Sequence, residues 1–307
     1  MSHMVSSGIR LSRKKDRIFS ILFSLPAICI YTIFMIFPMI SAIYYSLTKW
    51  DGAGEKLFVG FENYLNLFNN PDFWTVMKNS LILVALHVCI QIPLAILLAY
   101  ALYRTTQGFR FFRAVYFFPT VIAASVIALM VSLMFNADMG LVNQLLDTCG
   151  LGALKRNWLS DPNVVLYTVS LTLVLQYVGY HMAIILGGMQ SISEDVIESA
   201  VIDGASSFEI FFRMVLPLIK NVLQISFLLA ITGCLKAFDH SYIMTWGGPG
   251  VSSSYLAVYM YKTAYQQSDL GSGTAIAVVI LILAFLFSKI LALLFREQHP
   301  DKGGAIS

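Results

Sequence analysis

Six apolar blocks divide the chain: Ile18–Leu47, Val76–Tyr103, Phe111–Phe135, Val164–Met189, Pro217–Trp246 and Thr274–Phe295. A helix needs about 20 largely apolar residues to cross the hydrocarbon core of a bilayer, and each block reaches that length. Inside lipid no water satisfies backbone amides and carbonyls, so the spacing predicts helices. The first and fifth blocks exceed one crossing, which predicts tilt or interfacial ends. Charged residues make up only 12% of the chain, against about 25% in soluble domains. The reading is an all-α polytopic membrane protein with six transmembrane helices. Its single domain covers 18–296, flanked by a segment at 1–17 and a tail at 297–307. No cleavable signal peptide is expected, because the first block is long, contains Pro26 and Pro38, and precedes no small-residue cleavage site.

Basic residues set the orientation, since lysine and arginine in short loops mark the cytoplasmic side. Arg10, Arg13, Lys14, Lys15 and Arg17 precede the first block, Arg104, Arg110 and Arg113 follow the second, Arg213 and Lys220 follow the fourth, and Arg296 and Lys302 follow the sixth. Fewer lie in the opposite loops: Lys49, Lys56, Lys155, Arg156 and Lys262. Both termini and the 191–216 loop are therefore expected in the cytoplasm. A net charge of +3 is too small to suggest nucleic acid. Cys29, Cys89, Cys149 and Cys234 are far apart, with no metal spacing.

The 191–216 loop is polar and acidic in an otherwise apolar chain. Ser191 with Glu194, and Ser206 with Glu209, fit the S-x-x-E capping box. Gly204 between them suits a helix stop. Two short helices and a tight corner are expected. Val196, Ile197, Ala200 and Val201 form an apolar stripe on the first helix, and Phe208, Phe211 and Phe212 another on the second. Periodicity alone leaves open a helical pair lying on the membrane surface. Glu194, Asp195, Glu198 and Asp203 would then face anionic headgroups, which favours a protein partner.

Glu198-Ser199-Ala200, Asp203-Gly204-Ala205 and Leu216-Pro217 together resemble the coupling motif of ATP-binding-cassette importer permeases. Gln176-Tyr-Val-Gly-Tyr180, Phe238-Asp239, Gly247-Gly-Pro-Gly250 and Asp269-Leu-Gly271 extend the likeness, as do Lys49-Trp-Asp-Gly52 and Gly140-Leu-Val-Asn143. The pattern is similar to the sugar-type branch and to the F subunit of maltose uptake. Ser199 stands where alanine is common, and the large extracellular insertion of the enterobacterial subunit is absent. The resemblance implies a type I importer permease fold with cytoplasmic coupling helices in the plasma (inner) membrane of a prokaryote. It implies a second related permease chain, a cytoplasmic ATPase dimer binding ATP and Mg, and an extracellular solute-binding protein. It assigns ATPase coupling to Glu198, Ser199, Ala200, Asp203, Gly204, Ala205, Leu216 and Pro217. It assigns the solute path to Gln176, Tyr177 and Tyr180 on one wall, and to Ala230, Gly233, Cys234 and Ala237 on the other.

No phosphate-cradling G-x-x-x-x-G-K-[ST] run occurs, so the chain carries no nucleotide site of that kind, no cofactor is expected on it, and it is read as a transport subunit rather than an enzyme. Gly247-Gly-Pro-Gly250 reads as a turn at the outer end of the fifth block. Gln176, Tyr177, Tyr180 and His181 interrupt the fourth block, which fits either a solute wall or hydrogen bonding between helices. Lys236 and Asp239 are three apart on one helical face, so they could pair. His87 reads as a packing residue. Prolines at 26, 38, 93, 119 and 217 predict kinks. The competing class is an ion-coupled secondary transporter, which normally needs intramembrane carboxylates that are nearly lacking here.

Overall fold

The computed structural model describes residues 23–105 and 107–296. The expected cytoplasmic segment 1–17, the tail 297–307 and the basic residues on them lie outside the described residues. Among the described residues five helices are long and apolar enough to cross a membrane: Phe23–Tyr45, Pro71–Tyr103, Val165–Gln190, Lys220–Thr245 and Leu270–Leu294. A bent pair, Phe109–Val121 and Ala124–Met134, brings the number to six when counted as one broken span, third in chain order. The second span starts at Pro71, earlier than the apolar block. Asn70 caps it, its side chain accepting from the Asp72 amide at 2.9 Å, and Pro71 supplies a fixed φ where no N–H is needed.

Three of the five prolines expected to kink share a trace, while Pro26 and Pro119 sit in α-helix without one. π turns at Thr32–Ile36, His87–Gln91 and Ile210–Val215 run up to Pro38, Pro93 and Pro217. A proline ring clashes with the carbonyl four residues back and removes one hydrogen bond. Widening the preceding turn relieves both faults and lets the span continue.

The sharp break falls elsewhere. The third block was expected as one helix over Phe111–Phe135, but the two halves meet at 93°. Ile122 and Ala123 are extended there, with ψ of 138° and 135°. Exposed carbonyls are costly in lipid, and the fourth span covers this one: Gln176 Nε2 donates to the Ile122 carbonyl at 3.1 Å. Thr120 Oγ1 returns a bond to the Gln176 carbonyl at 2.9 Å. Gly179 makes the approach possible, since a Cβ there would stand 1.9 Å from the Tyr116 carbonyl oxygen.

The fourth span is the axis of the bundle: 67% of its most apolar window is buried, against 0% for the first span. One core cluster joins the ends of the second, fourth and fifth spans to the 191–216 loop through Ala99, Met182, Met189, Ala200, Phe211 and Ile219. Another, around Phe73, Val76, Leu256 and Ile276, closes the opposite end. At that end a two-residue antiparallel ribbon pairs Thr48 with Phe58 and Lys49 with Leu57, a small exception to the all-helical expectation. Lys56 Nζ lies 4.4 Å from the centres of both the Tyr45 and the Trp50 rings. The expected glycine turn after the fifth span forms, with Trp246 and Gly247 in the left-handed region. Asn79 Nδ2 anchors the following loop, bonding the carbonyls of Val251, Ser252 and Ser254 at 3.0 to 3.2 Å.

Candidate functional site

The chain presents two polar features that the bundle does not consume. The first is the hairpin between the fourth and fifth spans. Its leading helix, Glu194–Ile202, ends in a Schellman motif: the Ala205 amide bonds the Ala200 carbonyl at 2.9 Å and the Gly204 amide bonds Val201 at 3.1 Å. That geometry needs a left-handed residue after the cap, and Gly204 sits at φ 81°. The Asp203-Gly204-Ala205 text is thus the signature of a tight stop. No atom lies within 4 Å of where a Gly204 Cβ would be, so the requirement is conformational, not one of space.

Of the two expected capping boxes one forms. Ser206 Oγ accepts from the Glu209 amide at 3.3 Å, and Glu209 Oε2 accepts from the Ser206 amide at 3.1 Å. The Ser206 amide, then the Ser206 hydroxyl donating to Oε2 at 2.9 Å, then Arg213 at 3.3 Å, hold the Glu209 carboxyl below its ordinary range. The Ser191–Glu194 box does not form. The helix starts after Ser193, and Ser191 Oγ bonds back to the Gly188 carbonyl at 2.7 Å, extending the fourth span instead.

The apolar stripe of the leading helix also divides. Ala200 is buried and Ile197 packs against the same core, while Val201 and Ile202 point outward at 59% and 85% exposure. Phe208 joins them, exposed and tilted against Phe212 with ring centres 4.4 Å apart. Glu198, Ser199 and Asp203 are exposed beside this patch. On the inner side Phe211 lies 4.3 Å from Tyr100, whose hydroxyl donates to the Ser207 carbonyl at 3.2 Å. The hairpin is therefore bolted to the second span. It runs through Leu216 and Pro217 into the fifth with only the Ile219 cap between helices.

The second feature is a cavity of about 330 Å³ between the second, fourth and fifth spans. Tyr177 and Tyr180 of the fourth span and Ala230, Gly233, Cys234 and Ala237 of the fifth line it. Gln176 lies outside it. Its side chain turns the other way and is spent on the broken backbone of the third span, which is the helix-to-helix role rather than the solute one. The fifth span is interrupted between Leu235 and Asp239, and Lys236 and Asp239 both line the cavity at that interruption. They do not pair. Among the described residues the ion pairs are Lys155–Asp147 and Arg213–Glu209. The break rotates Lys236 and Asp239 out of the helical register that would have brought them together.

His87 is buried and its Nδ1 bonds the Leu83 carbonyl at 2.9 Å, as a packing residue would. It also lines the cavity, as do Gln91, His181 and His240. Gln91 escaped the sequence reading. Its only signal was a lone amide in an apolar run.

A membrane permease with a polar hairpin and a cavity between its spans is the class that this fold and site define. The chain belongs to the family of binding-protein-dependent transport system inner membrane components, whose model matches residues 91–299. It is 34% identical to a probable ABC transporter permease of Pyrococcus horikoshii over 90% of this chain and 95% of that one. It is 30% identical to the trehalose/maltose transport system permease MalF of Thermococcus litoralis, over 86% and 89%. A bacterial ABC transporter involved in import of the acidic polysaccharide alginate shares its fold, with a TM-score of 0.80 over 94% of this chain and 98% of that one at 21% identity. The chain is thus a permease of the importer type I fold, embedded in the membrane.

Proposed function

We propose that this permease imports a sugar, an oligosaccharide or a sugar derivative, forming half of the path with a second, related permease chain. ATP is hydrolysed by a separate cytoplasmic ATPase dimer that holds the nucleotide and Mg, and an extracellular binding protein delivers the solute. Both termini and the hairpin face the cytoplasm. The observation that carries this reading is the cavity's composition. Two phenol rings face a wall of small residues, which leaves room for a ring-shaped solute that stacks on aromatic faces. The hairpin supports the drive. It offers an exposed apolar tip, Ile202 and Phe208, edged by Glu198 and Asp203, a surface suited to a protein groove. A relative named for trehalose and maltose, matched over most of its length, agrees with the solute class.

The assembled complex, reconstituted in proteoliposomes, tests it. Uptake of a radiolabelled sugar should require internal ATP and external binding protein, and an ionophore should leave it intact. Uptake that survives ATP depletion and collapses with the ionophore would identify an ion-coupled carrier instead.

A further inference from the structure

Past Tyr177 and Tyr180 the cavity is bounded by Gln91, His87, His181 and His240, drawn from the second, fourth and fifth spans. Gln91 is fully buried, and neither its amide nitrogen nor its oxygen has a hydrogen-bond partner. His240 is 2% exposed and its Nε2 is likewise unpartnered. The His87 Nδ1 contact at 2.9 Å is to a carbonyl, which only accepts. Nδ1 therefore carries the proton, and Nε2 is left as an acceptor in the neutral ring. His181 Nδ1 is 2.8 Å from Ser226 Oγ, which fixes that ring.

Polar groups inside a lipid-embedded bundle are normally paired, because an unpaired one carries its full desolvation penalty. Gln176 is half satisfied, its amide nitrogen spent on the Ile122 carbonyl and its Oε1 unpartnered. Gln91 has no such bond. It lies on the π turn His87–Gln91 that precedes Pro93, and π turns recur at functional positions. Two unpartnered groups from two separate spans, Gln91 and His240, thus border one cavity. A fully buried, unpaired amide facing a cavity is what a site for a hydroxylated ligand looks like when empty.

We propose that Gln91, with His87 and His240, forms a hydrogen-bonding subsite of the translocation path that reads the hydroxyl groups of a neutral, polyhydroxylated solute. The proposal rests on the sugar reading of the cavity and adds residues of the second span to it. The amide offers both a donor and an acceptor, His87 Nε2 an acceptor, and a sugar hydroxyl is both, so the groups match without any charge. Gln91 then acts as a specificity-determining residue. A site built to bond a hydroxyl rejects the analogue that lacks it, because its own groups stay unpaired.

The test uses the whole complex in proteoliposomes, with radiolabelled glucose, maltose, trehalose and raffinose as probes, and deoxy analogues of whichever one wild type carries. Gln91→Leu should insert and assemble with its partner subunits. Its sugar uptake should fall about tenfold, and its preference for the sugar over a deoxy analogue should shrink by a similar factor. Unchanged uptake and unchanged preference overturn the subsite. Wild type carrying none of these sugars is a separate failure, that of the sugar reading. Should Gln91→Leu not assemble, Gln91→Cys decides, made in a chain whose four native cysteines are alanine. The transported sugar should slow its modification by a methanethiosulfonate reagent at least fivefold. Modification indifferent to the sugar means that the amide only packs, or holds water, and ends the proposal.

Discussion

Tyr180 borders the cavity, while Gly179, one residue earlier, lies against the backbone of the third span. The two positions should answer substitution in opposite ways. Tyr180→Ala removes a ring from the wall, so the initial rate of sugar uptake should fall about tenfold with thermal stability unchanged, the scale of one lost aromatic contact. Tyr180→Phe should retain most of the rate. Unchanged transport by Tyr180→Ala removes that side chain from the path. Gly179→Val acts on the fold instead. Its Cβ would stand 1.9 Å from the Tyr116 carbonyl oxygen, and backbone cannot swing aside as a side chain can. Overpacking of this kind costs about 3 kcal/mol, so the purified variant should melt several degrees lower or fail to accumulate. A melting point equal to wild type would mean that the third and fourth spans do not cross at Gly179.

At the scale of elements, the hairpin's second turn depends on a local bond pattern. Ser206→Ala deletes the cap on Glu209, and amide hydrogen exchange over Ser207–Ile210 should quicken roughly fivefold, the effect of one lost helix cap. Unchanged exchange would show that packing of Phe211, not the cap, holds the turn. The pH dependence follows from Glu209. Its carboxyl is held low in the folded state by the bonds to Ser206 and then by Arg213. The stabilisation is complete above the ordinary carboxylate range and is lost only as pH falls through the lowered value. Between about pH 6 and 8 the group stays ionised in both states, so exchange of this turn should not vary with its titration. The same pattern explains what the sequence could and could not disclose. Ser206 and Glu209 sit three apart with both partners free, so the text determines the bond. Ser191 and Glu194 have the same spacing, but Ser191 is claimed by the Gly188 carbonyl, and nothing local tells the two cases apart. The bend at Ile122–Ala123 contains neither glycine nor proline, and its support comes from Gln176, more than fifty residues further along the chain. Apolar length and coupling text were legible because they are local. Which face of the fourth span Gln176 and Tyr177 occupy, and Gln91's place on the cavity, depend on how the spans pack.

For the whole molecule, the question is how force reaches the cavity. The hairpin is fixed to the second span through Tyr100 and Phe211, and it continues through Pro217 into the fifth span, which carries the small-residue wall and the charged interruption at Lys236–Asp239. The leading helix also follows directly from the fourth span and packs on its end through Met189 and Ala200, so the hairpin is joined to all three spans that border the cavity. Glu198 stands on the exposed face of that hairpin, away from its own core. Glu198→Lys should leave the chain inserted and the bundle's melting point unchanged. It should cut ATP-driven uptake to background and abolish stimulation of the ATPase by loaded binding protein. Loss of uptake with stimulation intact would move the coupling contact elsewhere on the loop. The orientation is tested in the same cysteine-free background. Ser199→Cys should react with a membrane-impermeant thiol reagent in inside-out vesicles and not in intact cells. Ala53→Cys, beside the Lys49–Leu57 ribbon at the other end of the bundle, should do the reverse. Labelling of Ser199→Cys from outside would put the hairpin on the wrong face of the membrane for any cytoplasmic ATPase. It would remove the mechanical link while leaving the cavity in place, and a carrier driven through the cavity itself, by an ion gradient, would be the reading left.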